Sequence, residues 1–490
     1  MLNILGSPKR LCDGITRRDM IQAGASSVLG LGLADLLTPH ASASSSARPR
    51  NFGKAKNVMV LYLYGAMSQI DTLDPKPDGP AEIRGPFGTV ATKLPGVRLG
   101  EHLPQLAARL DRVTVVRSMN HPEPIHNVAN TVTGIRRTDI PMELNQRDPR
   151  HWPFFGSVLD YLETVQAGRA GNPLIPRNVI IPWRQSGSAP DKRAGFFGGF
   201  LGSRYDPTPL EFRGKGTVEN CVEKFNPYCG ISLRDTYNFP ATAIGPQMTL
   251  DRFNNRRSLL DQLNDQQRYL GGSGSGPLQA FDELQQIGMN LCDSGSLPTA
   301  LNLDREPAKL RERYGHHLFG QSALLGRRMI EAGSRVVTVL WDEFAANNSA
   351  WDTHNNQTRR LGRELCPGLD QTVAALLDDL DQRGLLDETL VVCLTEHGRT
   401  PQAEGKGDGR NHWSGAYSIM LAGAGVARGN IVGSSDRQGA FVKTRPVDPK
   451  DILHTIYHLL GVDVERSVPD RQGRPLPLVD GGRLVPEILA

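Results

Sequence analysis

Glu396 and His397 put a carboxylate and an imidazole on adjacent residues, and His412 follows after a polar, glycine-rich bend. Upstream, Asp352 and His354 repeat the pairing within W-D-T-H. Carboxylate oxygens mixed with imidazole nitrogens form a ligand set for zinc or another divalent transition metal. Such a centre supplies Lewis acidity and activates water.

The elements that must carry these groups can be read from the apolar runs. Leu390 to Leu394 predicts a short buried strand that delivers Glu396 and His397 at its C-terminal end, where open α/β sheets bind ligands. Arg335 to Leu340 predicts a second such strand ahead of Asp352 and His354, so two strand ends aim Asp/Glu and His at one crevice. Asn57 to Leu63 is continuously apolar and predicts a buried, parallel first strand ending at Tyr64-Gly65-Ala66. Ser68 and Asp71 lie in the loop beyond it, where Asp71 and Asp74 read equally well as turn residues held by side-chain-to-backbone hydrogen bonds. Arg112 to Val116 predicts another strand, leading to His121 and His126. Residues Ile125 to Val132 read as the opening of a helix with Pro124 in its first turn, and a helix N-terminus beside strand ends is an anion site. His126 and His121 are candidates there, set against the commoner role of a lone histidine as a structural hydrogen-bonder.

The rest of the chain alternates in the same manner. Asn178 to Pro182 and Ser418 to Leu421 predict further strands, and Leu369 to Gly384 and Asp448 to Leu460 predict amphipathic helices. Gly195 to Tyr205 reads as a glycine and aromatic loop covering the crevice, and residues from about 249 to 330 read as a helical insertion. His316 and His317 are expected on a helix surface, and His454 and His458, though spaced i and i+4, on a solvated or packed face. Cys221 and Cys229 could pair in an oxidising compartment, although folding before export works against it.

Composition bounds the function. The chain of 490 residues is 39% hydrophobic and 22% charged, which can hold one large α/β domain or two smaller ones. Its formal charge of +4 falls to +3 without residues 1–43, which hold four basic and three acidic residues, and gives no reason to expect a nucleic-acid partner. Residues 1–43 read as a twin-arginine signal: Arg17-Arg18, an uncharged Gly/Ala/Ser-rich run, then Ala41-Ser42-Ala43. Residues 44–52 follow as a linker and 53–490 as a single domain with no membrane span, placed in the periplasm or outside the cell.

The motifs G-A-M-S-Q-I-D-T-L-D-P-K-P at 65–77, I-R-G-P-F at 83–87, G-V-R-L-G-E-H-L-P at 96–104, W-D-T-H at 351–354, L-L-D-E-T-L-V-V-C-L-T-E-H-G-R-T-P at 385–401, N-H-W at 411–413 and R-P-V-D-P-K-D-I-L-H-T-I-Y-H-L-L-G at 445–461 cover the mature chain. Through them it resembles the bacterial family called domain of unknown function 1501, secreted proteins related to the alkaline phosphatase and sulfatase superfamily. The resemblance implies an alkaline phosphatase-like α/β fold, a central, mostly parallel sheet flanked by helices, and a divalent metal: zinc, manganese or calcium. Glu396-His397-Gly398 resembles the superfamily's Asp-His-Gly, His412 its later histidine, and Asp352 and His354 its earlier Asp and His, with one intervening residue instead of three. The aspartate expected after the first strand is replaced near Gly65-Ala66, with Asp71 a displaced candidate ligand. Where the superfamily carries its nucleophile, residues 120–130 hold no Ser, Thr or Cys, and His126 stands near that place as the catalytic candidate, preferred as a ligand or anion holder. Ser68, His121, Asn127 and Arg399 are the expected substrate contacts.

Three functions fit this reading. The first is an exported hydrolase of phosphate or sulfate esters, small-molecule or glycan, with metal-bound water as nucleophile. The others are a non-catalytic descendant binding an anionic glycan or envelope partner, and different chemistry on the same fold, such as isomerisation or group transfer.

Overall fold

Strand β1 (Asn57–Leu63) is apolar from Val58 onward because both of its faces are covered. Met59, Leu61 and Leu63 face one hydrophobic layer, and Val58, Val60 and Tyr62 face the other. The structure is a computed structural model that describes residues 50–137, 139–140, 145–166, 175–187, 192–222, 224–239, 295–344, 350–403 and 408–490, with isolated positions 255, 258, 259 and 262. The expected signal, most of the linker and most of residues 249–294 lie outside the described residues.

The remaining strands of the central sheet are β2 (Val113–Met119), β3 (Asn178–Ile181), β4 (Thr208–Pro209), β5 (Val336–Trp341) and β6 (Thr389–Leu394). After a small hairpin of β7 (Gly398–Arg399) and β8 (His412–Trp413) come β9 (Tyr417–Gly423) and β10 (Asn430–Val432). The eight strands are ordered β10-β2-β9-β6-β1-β5-β3-β4. β1 lies parallel between β6 and β5, with Leu61 opposite Cys393 and Val339. β3 and β4 extend the sheet in parallel. β9 alone runs the other way, between β6 and β2, because it follows the β7–β8 hairpin without a crossover helix. The sheet is therefore mostly parallel, and the C-terminal ends of β1, β2, β5 and β6 share one edge with the N-terminal end of β9.

Helices cover both faces. The layer under Met59, Leu61 and Leu63 takes its side chains from α3 (Leu318–Glu331) and α4 (Cys366–Gln382). The opposite layer takes them from α1 (Val128–Thr133), α2 (Phe155–Tyr161) and α5 (Pro449–Leu459). Each fully buried aliphatic side chain in these layers contributes about 1.5–3 kcal/mol. α5 begins with a capping box: Asp448 accepts from Lys450 N and Asp451 accepts from Asp448 N.

Several expectations need correction. In the segment Gly195 to Tyr205, expected as a glycine and aromatic loop, Phe196 and Phe200 are buried in the layer with α2. Cys221 and Cys229 are paired in a disulfide. α3 packs on the central sheet through Leu324 and Met329 and belongs to its covering layer. His316 is exposed as expected, but His317 is buried as the N-cap of α3, its Nδ1 accepting from Gly320 N at 3.2 Å. Burial, with His316 beside it, drives the His317 pKa down to about 4.

That histidine makes stability acid-sensitive. The folded state holds it neutral while the unfolded chain protonates it near pH 6.5, so its contribution is complete above that pH and is lost as pH falls toward about 4. The loss between pH 7 and pH 5 is expected to be about 2 kcal/mol in urea unfolding. His317→Asn keeps a capping oxygen without a titrating ring, so its stability falls less over this range by that amount. Equal losses for the two proteins would refute the assignment.

Candidate metal centre

Thr395, the first residue past β6, ties two strand ends together. Its hydroxyl donates to Leu63 O at 2.9 Å and accepts from Met67 N at 3.0 Å. Glu396 follows, and its Oε1 accepts from Gly65 N and from His126 Nδ1, each at 2.7 Å. Gly65 has φ of +105°, and a Cβ there would lie 2.2 Å from Asp352 N, so only glycine fits. This close approach lets Trp351 N donate to Tyr64 O at 2.8 Å, which brings W-D-T-H against the end of β1. Four segments thus meet over the sheet edge: those after β1, β2, β5 and β6. The β7–β8 hairpin adds His412 to them.

The orientation of the histidines follows from their acceptors. His126 Nδ1 faces Glu396 Oε1 at 2.7 Å, and His354 Nδ1 faces Asn411 Oδ1 at 2.7 Å. His397 Nδ1 faces Gly398 O at 2.9 Å, and His412 Nδ1 faces Pro124 O at 3.3 Å. These oxygens accept and do not donate, so Nδ1 carries the proton in all four rings and Nε2 remains for another bond. Nδ1–H bonds of this kind orient histidines that bind metal through Nε2.

Three of these Nε2 atoms crowd around Asp352. His354 Nε2 lies 3.0 Å from His412 Nε2 and 3.0 Å from Asp352 Oδ1, which is 3.4 Å from His412 Nε2. Bonds of about 2.0–2.1 Å at a tetrahedral angle put ligand atoms about 3.3 Å apart, so these three separations fit one ion. His126 Nε2 is 3.5 Å from Asp352 Oδ2, and His397 Nε2 is buried without a hydrogen-bond partner among the described residues. Two sets of ligand atoms result, each within 4.8 Å: His126, His397 and His412, and Asp352, His354 and His412.

Charge is strongly redistributed here. Burial works against charging His126, but hydrogen bonds to Asp352 and Glu396 outweigh it and raise the pKa to about 9. Burial and the charges of His126 and Arg399 drive His397 well down, and burial lowers His412. Burial would raise Asp352, yet bonds from His126, His354 and His412 and the Arg399 charge hold it far below the usual carboxylate range.

His126, Asp352, His354, Glu396, His397 and His412 are therefore brought together, with Arg399 against Asp352 and His121 against the Glu396 backbone, while the remaining candidates are engaged elsewhere. Asp71 forms a buried ion pair with Arg410 at 2.9 Å and accepts from Gln357 and from Ser68 Oγ, at 2.8 and 2.5 Å, so guanidinium pairing in the turn claims the carboxylate and the Ser68 hydroxyl alike. Asn127 caps α1 by accepting from Asn130 N at 3.0 Å, and so is committed to the backbone. His126 consequently precedes the helix, instead of lying in its first turn. His121 Nε2 bonds to Glu396 O at 2.8 Å and supports the strand-end loop. Glu396 orients His126 through the oxygen expected to bind metal, while its Oε2 is buried with no partner among the described residues.

Arg399 is fully buried, and four of its N–H groups are committed to oxygens: Nε to Ala66 O, Nη1 to Arg410 O, and Nη2 to Gly65 O and Asp352 Oδ1, while Nη1 also lies 3.5 Å from His354 Nε2. Tyr64, not singled out beforehand, packs its ring 5.2 Å from that of His126, with the Arg193 guanidinium 5.6 Å from the tyrosine ring centre. Its position directly after the apolar run was the available signal. Glu343 sits close enough for Asp342 and Asp352 to act on its charge, and burial first, then Asp342, raises its pKa to about 7.

No curated protein matches the chain in sequence. Among solved structures it is similar to Ps i-CgsB, at 10% identity, a TM-score of 0.39, and coverage of 84% of this chain and 73% of that one. It is also similar to a protein in the alkaline phosphatase superfamily from Vibrio parahaemolyticus (8% identity, TM-score 0.34, 85% and 70% covered) and to the PsFucS1 sulfatase from Pseudoalteromonas sp. (12%, 0.33, 92% and 73%). The family described as proteins of unknown function, DUF1501, matches residues 55–489, and it is to this family that the chain belongs.

Proposed function

We propose that this protein is an exported, metal-dependent hydrolase of phosphate or sulfate esters, with residues 1–43 as its twin-arginine signal and 53–490 as its single catalytic domain. The observation that carries the reading is the convergence of three Nε2 atoms, those of His126, His354 and His412, on Asp352, with His397 grouped beside His126 and His412 and each of the four rings held by an Nδ1–H bond. Asp352, His354 and His412 would hold the ion, with His126 and His397 as the adjoining ligands. A ligand set this rich in imidazole suits zinc first, manganese, which favours oxygen ligands, second, and calcium least. When bound, the ion supplies Lewis acidity toward an ester oxygen and acidifies water.

The chain's own groups do the rest. Glu396 fixes the His126 tautomer, and Arg399 pins Asp352 against the first strand. The hydroxyls of Ser68 and Thr395 are committed to Asp71 and Leu63 O, and residues 120–130 contain no Ser, Thr or Cys, so water is the nucleophile. His126, buried with its Nδ1 proton on Glu396 and its Nε2 toward Asp352, acts as ligand or orienting group, not as nucleophile. The lack of a nucleophilic side chain also favours a second reading, a protein that binds an anionic glycan without cleaving it.

Elemental analysis of the mature protein is expected to find stoichiometric zinc or manganese, and a panel of phosphate monoesters, phosphodiesters and sulfate esters to find turnover lost on chelation and restored by metal. No stoichiometric metal, even after reconstitution, would sink the metal reading; metal with no turnover on any ester would leave the binding reading. Glu396→Gln replaces the charged acceptor that orients His126 with a weaker, neutral amide oxygen and is expected to weaken metal binding roughly 10–100-fold with the circular dichroism unchanged. His126→Ala should weaken it at least as much, and unchanged metal content and ester kinetics in that variant would return His126 to a packing role.

A further inference from the structure

We propose that the centre binds a single divalent ion, and that the Arg399 guanidinium occupies the place of a second. The inference rests on the metal-dependent reading above and narrows it to a stoichiometry.

The two sets of ligand atoms share His412. Its Nδ1 faces Pro124 O at 3.3 Å, which leaves one nitrogen, Nε2, with one lone pair for one ion. An ion that takes it in either set leaves the other set a ligand short.

Charge points the same way. With the imidazoles neutral, as metal ligands must be, the charged groups in contact with the ligand atoms are the carboxylates of Asp352 and Glu396 and the guanidinium of Arg399. They sum to one negative charge, so one divalent ion leaves the buried cluster at +1 and two leave it at +3. Burying uncompensated charge is costly, and Asp71, which could have supplied another carboxylate, is neutralised by Arg410.

The segment after β1 adds no side chain to the centre, since a Cβ at Gly65 would collide with Asp352 N. That segment instead gives the carbonyls of Gly65 and Ala66 to Arg399, whose Nη2 also holds Asp352 and whose Nη1 lies 3.5 Å from His354 Nε2. A cation already sits against two of the ligand atoms, Asp352 Oδ1 and His354 Nε2, and it is one the chain cannot release.

The test is metal stoichiometry in the full mature protein. Loaded with excess zinc and desalted, it should retain one ion per chain, and Arg399→Lys should also retain one. Arg399→Ala should retain two. Two ions in the wild type would overturn the inference and leave the hydrolase reading standing; none would overturn that reading and this inference with it. A folded Arg399→Ala protein that still holds one ion would overturn the role given to the guanidinium. Should that variant not fold, manganese decides: the wild type in excess Mn2+ should give an uncoupled six-line electron paramagnetic resonance signal. A spin-coupled pair, which requires ions about 3.5–4 Å apart, would overturn the inference.

Discussion

One oxygen, Glu396 Oε1, accepts from Gly65 N and from His126 Nδ1 and so joins three segments that are remote in sequence. The carboxylate is almost wholly buried, and a buried carboxylate is tolerable only when hydrogen bonds replace its water. The ends of β1 and β6 must therefore be in register, as Tyr62 opposite Leu394 makes them, and the loop after β2 must reach across β9 to bring His126. Removing one donor would cost about 1–3 kcal/mol through the unsatisfied charge-bearing group, more than most surface changes cost.

The same loop solves two problems with one missing side chain. Without a Cβ at Gly65, Trp351 and Asp352 come into hydrogen-bonding range of β1, and the Gly65 carbonyl stays open to Arg399. Arg399 lies on β7, opposite His412 in the hairpin register, so the element that delivers a ligand also delivers the compensating cation. Ala66, at φ of +71°, accepts the conformational cost of turning its carbonyl toward Nε.

The elements and the heart of the centre were legible in the sequence. Asn57–Leu63 and Thr389–Leu394 are strands because unbroken apolar runs of that length fit a strand buried on both faces, and Glu396, His397, Asp352 and His354 follow strand ends as expected. What could not be read was partnership among charged groups. Asp71, Ser68 and Arg399 have the composition of a site, but whether a carboxylate meets metal or guanidinium depends on which of several arginines folds against it, and Arg410 and Arg399 are fixed only by the tertiary arrangement of the hairpin. Direction was equally hidden in β9, whose few apolar residues are the same for parallel and antiparallel pairing. His317 and His126 show the limit for histidine: one caps a helix and the other precedes one, a difference of a few residues that periodicity does not resolve.

The imidazoles make contradictory demands on protons. His126, between two carboxylates, is pushed up to about 9, whereas His397, with its ring centre 5.2 Å away, is driven far down by burial and by the charge of His126 itself. His354 and His412 place their Nε2 atoms 3.0 Å apart, and a proton on one must come at the expense of the other. Protons can satisfy such a cluster only unevenly, one ring at a time. A divalent ion accepts several lone pairs at once and replaces positive charge that would otherwise be held on nitrogen, so binding it relieves the repulsion and releases protons together. With the Nδ1–H bonds already made, the rings need little reorientation to do so, and the entropy of ordering them has been met by folding.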